Sequence, residues 1–170
     1  VLLDLGKPLA IAGAAITGSL VAMAKVTHNY GDILDETSEK TGVSVEQLGR
    51  LKFAAEQLDS SFEGISVGLK FLAKNLVEAG TGSKEQVKLF KAFGVEVKTA
   101  SGSVRPLNDV LFDMAARFKS LPSGAEKTAL AMKVFGKAGQ DLIPFLNAGP
   151  EGLKKLGDEA ERMGIVMDGA

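Results

Sequence analysis

Signals that start and stop helices recur along this chain, and they predict short helices instead of one long rod. In a capping box, a hydroxyl accepts from the amide three residues on, and a Glu or Gln side chain reaches back. The sequence offers such starts at Ser44-Val45-Glu46-Gln47, Ser60-Ser61-Phe62-Glu63 and Ser83-Lys84-Glu85-Gln86. Glycines suited to a left-handed helix stop stand at Gly42, Gly80, Gly94 and Gly164. We therefore expect a chain that reverses direction repeatedly.

Apolar side chains recur at helical spacing between these signals. One stripe runs from Phe62 to Leu76 and another from Leu107 to Leu121, each with alternating spacings of three and four residues. A fully buried Leu or Phe contributes about 1.5–3 kcal/mol, so these stripes can hold a compact bundle. The predicted fold class is all-α, a multi-helix bundle of about six to seven short helices of about ten to twenty residues, with a long N-terminal apolar helix.

Residues 8–24 carry no charge, and three interpretations of this stretch are open. A transmembrane span needs about 20 apolar residues, and this shorter stretch includes Pro, Gly, Thr and Ser. A signal peptide would need a basic start, which is weak here, although Ala22-Met23-Ala24 resembles a cleavage site. Small residues at four-residue spacing favour close packing against other helices. We favour this last interpretation, with an apolar-to-amphipathic N-terminal helix over 1–41 and a compact helical domain over 42–170.

One stretch within that domain, 95–105, breaks the helical pattern. Val95 and Val97 alternate with charged residues, which is typical of a short strand, and the Gly/Ser-rich stretch 99–103 is typical of a turn. The pattern predicts a small β-hairpin or an extended loop inserted at 95–105. Pro106 lacks an N–H group and has a preset φ, so we expect it in the first turn of the next helix.

The composition excludes several kinds of site. The chain has no Cys, which excludes disulfides and thiolate metal ligands. His28 is the single histidine, and a zinc site built on it would need carboxylate or water ligands, so we expect a surface or helix-flank residue. With 20 basic and 21 acidic residues and a net charge of −1, the chain carries no basic region suited to a nucleic acid.

Two stretches contain residue types found in functional sites, but neither has the arrangement that such a site requires. Gly80-Thr81-Gly82-Ser83-Lys84 lacks the spacing of a phosphate-binding loop and follows no strand, so we interpret it as a linker between helices. Asp158, Glu159 and Glu161 share one solvated helix face, whereas paired catalytic carboxylates lie across a cleft. We predict no catalytic, cofactor-binding or metal-binding residue and no enzymatic activity. The alternative is an enzyme whose shallow site the sequence does not reveal.

Three stretches in order carry a resemblance to a known family. They are 32–48, which ends T-G-V-S-V-E-Q-L after an Ala/Gly-rich helix; 90–97, F-K-A-F-G-V-E-V, with Gly102 and Arg105-Pro106 downstream; and 134–149, V-F-G-K-A-G-Q-D-L-I-P-F-L-N-A-G. Together they span about residues 20–165 and resemble the conserved N-terminal region of phage tail tape measure proteins. Phe93 stands where Leu is more usual in that family.

The resemblance implies a structural role. Tape measure proteins lie inside the growing tail tube, set its length and leave it when DNA is ejected. The implied partners are the tail tube protein, tail assembly chaperones and tail-tip proteins. The implied location is the lumen of the virion tail, and the host bacterial cytoplasm during assembly.

The helix signals refine this expectation. A straight helix of 170 residues would span about 250 Å. The repeated caps and stops favour a compact module beside the ruler instead, and the two apolar stripes offer possible self-association. The alternative function is a membrane-active helical module that acts through residues 8–24 at genome delivery.

Overall fold

The computed structural model describes residues 31–166. The chain divides into two compact units, Val1–Ile33 and Leu34–Ala170. The described residues cover most of the second unit and only the end of the first. The predicted apolar helix through residues 8–24, most of the predicted helix over 1–41, and His28 lie outside the described residues.

The described residues are all-α, as predicted, with eight α-helices and one 3₁₀ turn. The seven helices that follow Gly42 agree with the predicted six to seven. In chain order the elements are α1 (31–41), α2 (Val45–Gln57), α3 (Phe62–Gly80), α4 (Lys84–Phe93), α5 (Leu107–Ser120), α6 (Ala125–Phe135), the 3₁₀ turn (Gly136–Gln140), α7 (Ile143–Asn147) and α8 (Gly149–Arg162).

Of the three predicted caps, the one at Ser44 forms, and the second forms one residue later than predicted, at Ser61 instead of Ser60. Ser44 Oγ accepts from Gln47 N at 3.2 Å, and Ser61 Oγ accepts from Gly64 N at 3.1 Å. Ser83 precedes α4, but its side chain accepts no capping hydrogen bond, so that part of the prediction is wrong. The ψ angle of Ser83 is 114°, against 151° at Ser44 and 144° at Ser61, and this rotation turns the hydroxyl away from the helix amides.

Helix α3 ends at Gly80 as predicted, but the predicted left-handed conformation at this residue is wrong. Gly80 is still helical, and the left-handed turn lies at Gly82, with φ of +97°. Gly80 instead allows a close approach, because a Cβ there would lie 2.5 Å from Val104 Cγ2. The missing side chain of Gly80 therefore allows α3 to pack against the distant 95–105 stretch. No local sequence signal predicts this contact.

Residues 95–105 form an extended loop that is closed by a single antiparallel bridge, Lys98 to Val104. Thr99 N donates to Ser103 O at 2.8 Å inside the bridge. No strand forms among the described residues, so of the two predicted forms the extended loop is observed. Pro106 immediately precedes the first helical residue of α5, one position earlier than expected.

The core centres on α3, which packs against α2, α4, α5 and α6. Its apolar stripe is buried, with every member from Phe62 to Leu76 at most 3% exposed. The α5 stripe is likewise buried from Leu107 to Phe118. Both stripes pack within the chain, so pairing between chains through them would require this core to open.

The chain between α6 and α8 is less regular than predicted. Helix α6 ends at Gly136, with φ of +69°, and the 3₁₀ turn folds back against α6. Gly139 lies so close to α6 that a Cβ there would be 2.2 Å from Ala131 O. Helix α7 has five residues, so the predicted minimum of about ten is wrong here.

Candidate functional site

An open groove of about 540 Å³ separates the turn between α1 and α2 from the segment that leads into α5. We call it the turn groove. Its walls are residues 41–44 with Gln47 on one side and residues 104–108 on the other, and Ala73, Leu76 and Val77 of α3 lie between them. The turn groove is therefore lined by segments that are about sixty residues apart in sequence.

The first wall is held rigidly by hydrogen bonds within the turn. Thr41 Oγ1 donates to Thr37 O at 2.6 Å and accepts from Val43 N at 3.3 Å. Gly42 N donates to Ser38 O, and the φ of Gly42 is +71°, a conformation that a Cβ would strain. The wall is anchored to α3 by a buried hydrogen bond between the hydroxyls of Thr37 and Ser66.

The second wall is held by Arg105. Its Nη1 donates to Glu96 O at 3.0 Å and to Asp113 Oδ2 at 2.8 Å, which ties the extended loop to α5. Pro106 follows with φ of −55° and its carbonyl accepts from Val110 N. The guanidinium of Arg105 is therefore engaged within the chain and is not free for a ligand.

The surface of the turn groove is apolar with a few polar groups. Val77 is 56% exposed and Val104 is 40% exposed, which is high for valine in a folded chain. Asn108 Oδ1 is buried at the groove and has no hydrogen-bond partner among the described residues. Such a surface suits the apolar side chains of a peptide segment.

The acidic face predicted on α8 is not wholly solvated. Arg50 of α2 reaches across to Asp158, with Nη1 3.4 Å from Oδ1, and to Glu161. Gly157 lies beneath Arg50, since a Cβ there would be 3.3 Å from Arg50 Cβ. These carboxylates tie α2 to α8, a long-range role that the local sequence pattern does not reveal.

A smaller charged cluster lies on α1. The side chain of Lys40 donates to Glu36 Oε1 at 2.5 Å, and Lys70 of α3 lies 3.1 Å from the same oxygen. The Lys40 hydrogen bond, followed by that of Lys70, lowers the pKa of the Glu36 carboxyl below its ordinary value. Glu36 is exposed, and this pairing joins α1 to α3 at the surface.

The predicted linker connects helices as expected, with Gly80 at the end of α3 and Lys84 at the start of α4. Within the described part of the chain, no three acidic or histidine side chains lie close enough to hold a metal ion. None of the helices in residues 31–166 is both long and apolar enough to cross a membrane.

Sequence analysis predicted no site residue and did not find the turn groove. The resemblance to tape measure proteins drew attention to residues 41–44 and to Arg105-Pro106 separately, and the structure brings these two stretches to opposite walls of one groove. Comparisons of the chain with protein-family models, curated proteins and solved structures find no match.

Proposed function

We propose that this chain is a structural, non-enzymatic module of a phage or prophage tail tape measure protein. It takes part in tail assembly and in setting tail length through contacts with the tail tube protein, an assembly chaperone or a tail-tip protein. It acts in the host bacterial cytoplasm during assembly and in the tail lumen of the virion. The sequence support is the ordered set of three stretches that resemble this family.

One observation links the proposal to a specific surface, the turn groove. Of the three stretches, the first supplies residues 41–44 and the second supplies Arg105-Pro106, and both line the turn groove. The third contributes mainly to the core, where Val134, Phe135 and Phe145 are at most 1% exposed. Residue patterns that converge on an open apolar groove favour a role in binding, whereas patterns in a core favour a role in folding.

A docking role also fits the fold better than a ruler role. Residues 34–166 belong to one compact unit of short, reversing helices. A ruler element extends by 1.5 Å per residue along a continuous helix. We therefore assign this module to contacts with tail proteins at or beside the ruler, and the length of the tail to other segments of the same protein.

A matched pair of substitutions on α3 tests the proposal. Val77 lines the turn groove and is 56% exposed, whereas Val67 lies outside it on the same helix and is 55% exposed. We expect Val77→Glu to weaken capture of the tail tube protein or chaperone at least about tenfold, because binding would bury the new carboxylate against an apolar surface. Val67→Glu is expected to leave capture unchanged. Equal effects of the two variants would remove the turn groove from the proposal.

Tail length provides a second, independent measurement. Deleting the module from the full-length protein of the encoding phage is expected to reduce the number of assembled tails. The tails that do form should not shorten by the helical equivalent of the module, about 250 Å. Shortening by that full length, measured by electron microscopy, would assign the segment to the ruler.

The membrane-active alternative rests on the uncharged stretch 8–24, which lies outside the described residues. It predicts that the chain floats with liposomes and that binding is lost when these residues are removed. Flotation of a chain lacking 8–24 at the same level as the whole chain would remove this alternative.

A further inference from the structure

A second groove, of about 500 Å³, lies between α4 and the extended loop. Its apolar lining includes Ala79, Val87, Phe90, Val95 and Val97. Phe90 and Val95 are buried beneath it, whereas Val87 is 41% exposed on the face of α4 that lines the groove. We call it the lysine groove, because of the charges around it. It offers apolar contact area that residues 31–166 do not cover.

Two lysines line this apolar surface, and two more lie on the helix beside it. Lys91 and Lys98 line the lysine groove, and Lys84 and Lys88 continue along α4 at the spacing of one helix face. All four are exposed, and none forms an ion pair among residues 31–166.

The acidic residues of the same stretch do not balance these lysines. Between positions 84 and 98 the sequence has four lysines and two acidic residues, Glu85 and Glu96. Elsewhere in the described chain some lysines meet acidic side chains, as Lys40 and Lys70 do at Glu36, and others such as Lys154 and Lys155 form no ion pair. Glu96 itself lines the groove beside Lys91 and Lys98, so the lining carries a net charge of +1 and the 84–98 stretch a net charge of +2, which favours an acidic occupant.

The backbone of the extended loop suggests the conformation of that occupant. Two backbone hydrogen bonds flank the Lys98–Val104 bridge and close the loop. Thr99 N donates to Ser103 O at 2.8 Å, and Arg105 N donates to Val97 O at 2.9 Å. In this antiparallel pattern, the N–H and C=O of Lys98 point away from the paired segment. Neither has a hydrogen-bond partner among the described residues. The backbone of Lys98 is thus open to pairing with an added extended segment, whereas Glu96 O already accepts from Arg105 and Val95 N already donates to Phe90 O.

We propose that the lysine groove binds an extended, acidic segment of a partner protein. Backbone hydrogen bonds to Lys98 set the register of the segment, and its alternate apolar side chains enter the groove. Its Asp and Glu side chains meet the lysines of α4 and the loop. This inference does not rest on the proposed tape measure function, because the lysine groove and the turn groove share no lining residue.

The test is an NMR titration of the isotope-labelled chain with a short synthetic peptide that alternates valine with aspartate or glutamate. We expect saturable shift changes in α4 and residues 95–98. The double variant Lys91→Glu/Lys98→Glu should weaken binding about five- to tenfold, since each exposed ion pair contributes a factor of about two to five. The matched control Lys154→Glu/Lys155→Glu reverses two exposed lysines on α8 and should change binding less than about twofold.

Several outcomes would overturn the inference. Equal weakening by both double variants would show general charge attraction, and equal binding of a peptide with lysine in place of its acidic residues would remove the charge argument. Tighter binding of a helix-forming acidic peptide, or of a single-stranded oligonucleotide at the same residues, would assign the groove to another occupant. Concentration-dependent dimers lost in Lys91→Glu/Lys98→Glu would assign it to a second copy of the chain.

Discussion

Gly139 should be intolerant of even one added methyl group. It is buried in the 3₁₀ turn that follows α6. A Cβ at this position would lie 2.2 Å from Ala131 O, 2.4 Å from Ala131 C and 2.9 Å from Met132 N. All three atoms belong to the backbone of α6, so no side-chain rotation relieves the overlap. In Gly139→Ala, the turn and α6 must therefore move apart.

The size of this displacement sets the expected cost. Real Cβ atoms essentially never approach another heavy atom within 3.0 Å, so the turn must shift by roughly 0.8 Å. That shift opens the packing of Ala131, Val134 and Phe135, which are all fully buried. Overpacking of a close-packed core costs about 1–3 kcal/mol, and a backbone clash lies at the upper end. We expect Gly139→Ala to lower the free energy of unfolding by about 3 kcal/mol.

Gly49 supplies a matched control within α2. A Cβ there would have its nearest contact at 3.6 Å, with Val166 Cγ1, which is an ordinary van der Waals distance. Because alanine is favoured over glycine inside a helix, Gly49→Ala should stabilise the chain by about 0.5–1 kcal/mol. The same chemical change is thus expected to have opposite signs at the two positions.

Urea unfolding followed by far-UV circular dichroism measures both effects on the whole chain. Thermal unfolding gives the corresponding change in Tm. For a chain of this size, 1 kcal/mol corresponds to about 2–4 °C in Tm, so Gly139→Ala should lower Tm by about 10 °C. A stability within about 0.5 kcal/mol of the unmodified chain would refute the reasoning. It would mean that the turn does not pack against α6 at this distance in solution.

Three further perturbations have defined outcomes. Asn75→Ala should cost about 1–3 kcal/mol in urea unfolding, because the buried amide donates to Lys133 O and Val134 O at the end of α6; an unchanged midpoint would contradict this. Arg50→Ala should cost about 1 kcal/mol at low salt and less at high salt, since it ties α2 to two carboxylates of α8; a salt-independent loss would point to packing instead. The pKa of Glu36 is lowered in the folded chain, so its stabilising contribution is complete above the ordinary value of about 4.3 and is lost as pH falls through the folded pKa. The stability difference between the unmodified chain and Glu36→Gln should therefore vanish at low pH, and a difference that persists there would contradict the assignment.

The helical elements were largely predictable because their signals are local. Ser44 and Ser61 start helices through bonds to amides three residues away, and Gly94 ends α4 with φ of +65°. The buried stripe of α3 follows from the spacing of its apolar residues. The caps and the stop join groups within one or two turns of each other, and the stripe repeats at helical spacing, so the sequence pattern contains these signals even though the stripe packs against other helices.

Several predictions failed or were incomplete because the sequence pattern does not show distant neighbours or the exact backbone conformation. Gly80 has the sequence signature of a helix stop, but it makes room for Val104, and Gly82 makes the turn. Ser83 has the signature of a cap, but its backbone conformation does not present the hydroxyl. The acidic residues of α8 have the signature of a solvated face, but Arg50 of α2 reaches two of them. The same residue type can cap a helix, end it or contact another helix. Which of these it does depends on the residues that pack against it.

The sequence by itself determined short helices interrupted by one non-helical stretch at 95–105, because caps, stops and apolar periodicity act between residues close in the chain, and only the structure decided between a hairpin and an extended loop there. Only the tertiary structure decided which surfaces remain open. Residues 41–44 meet residues 104–108 across the turn groove, and α4 meets the extended loop around the lysine groove. These grooves depend on how helices pack across separations of tens of residues, and long-range packing follows from the shape and volume of the whole core instead of from any local pattern.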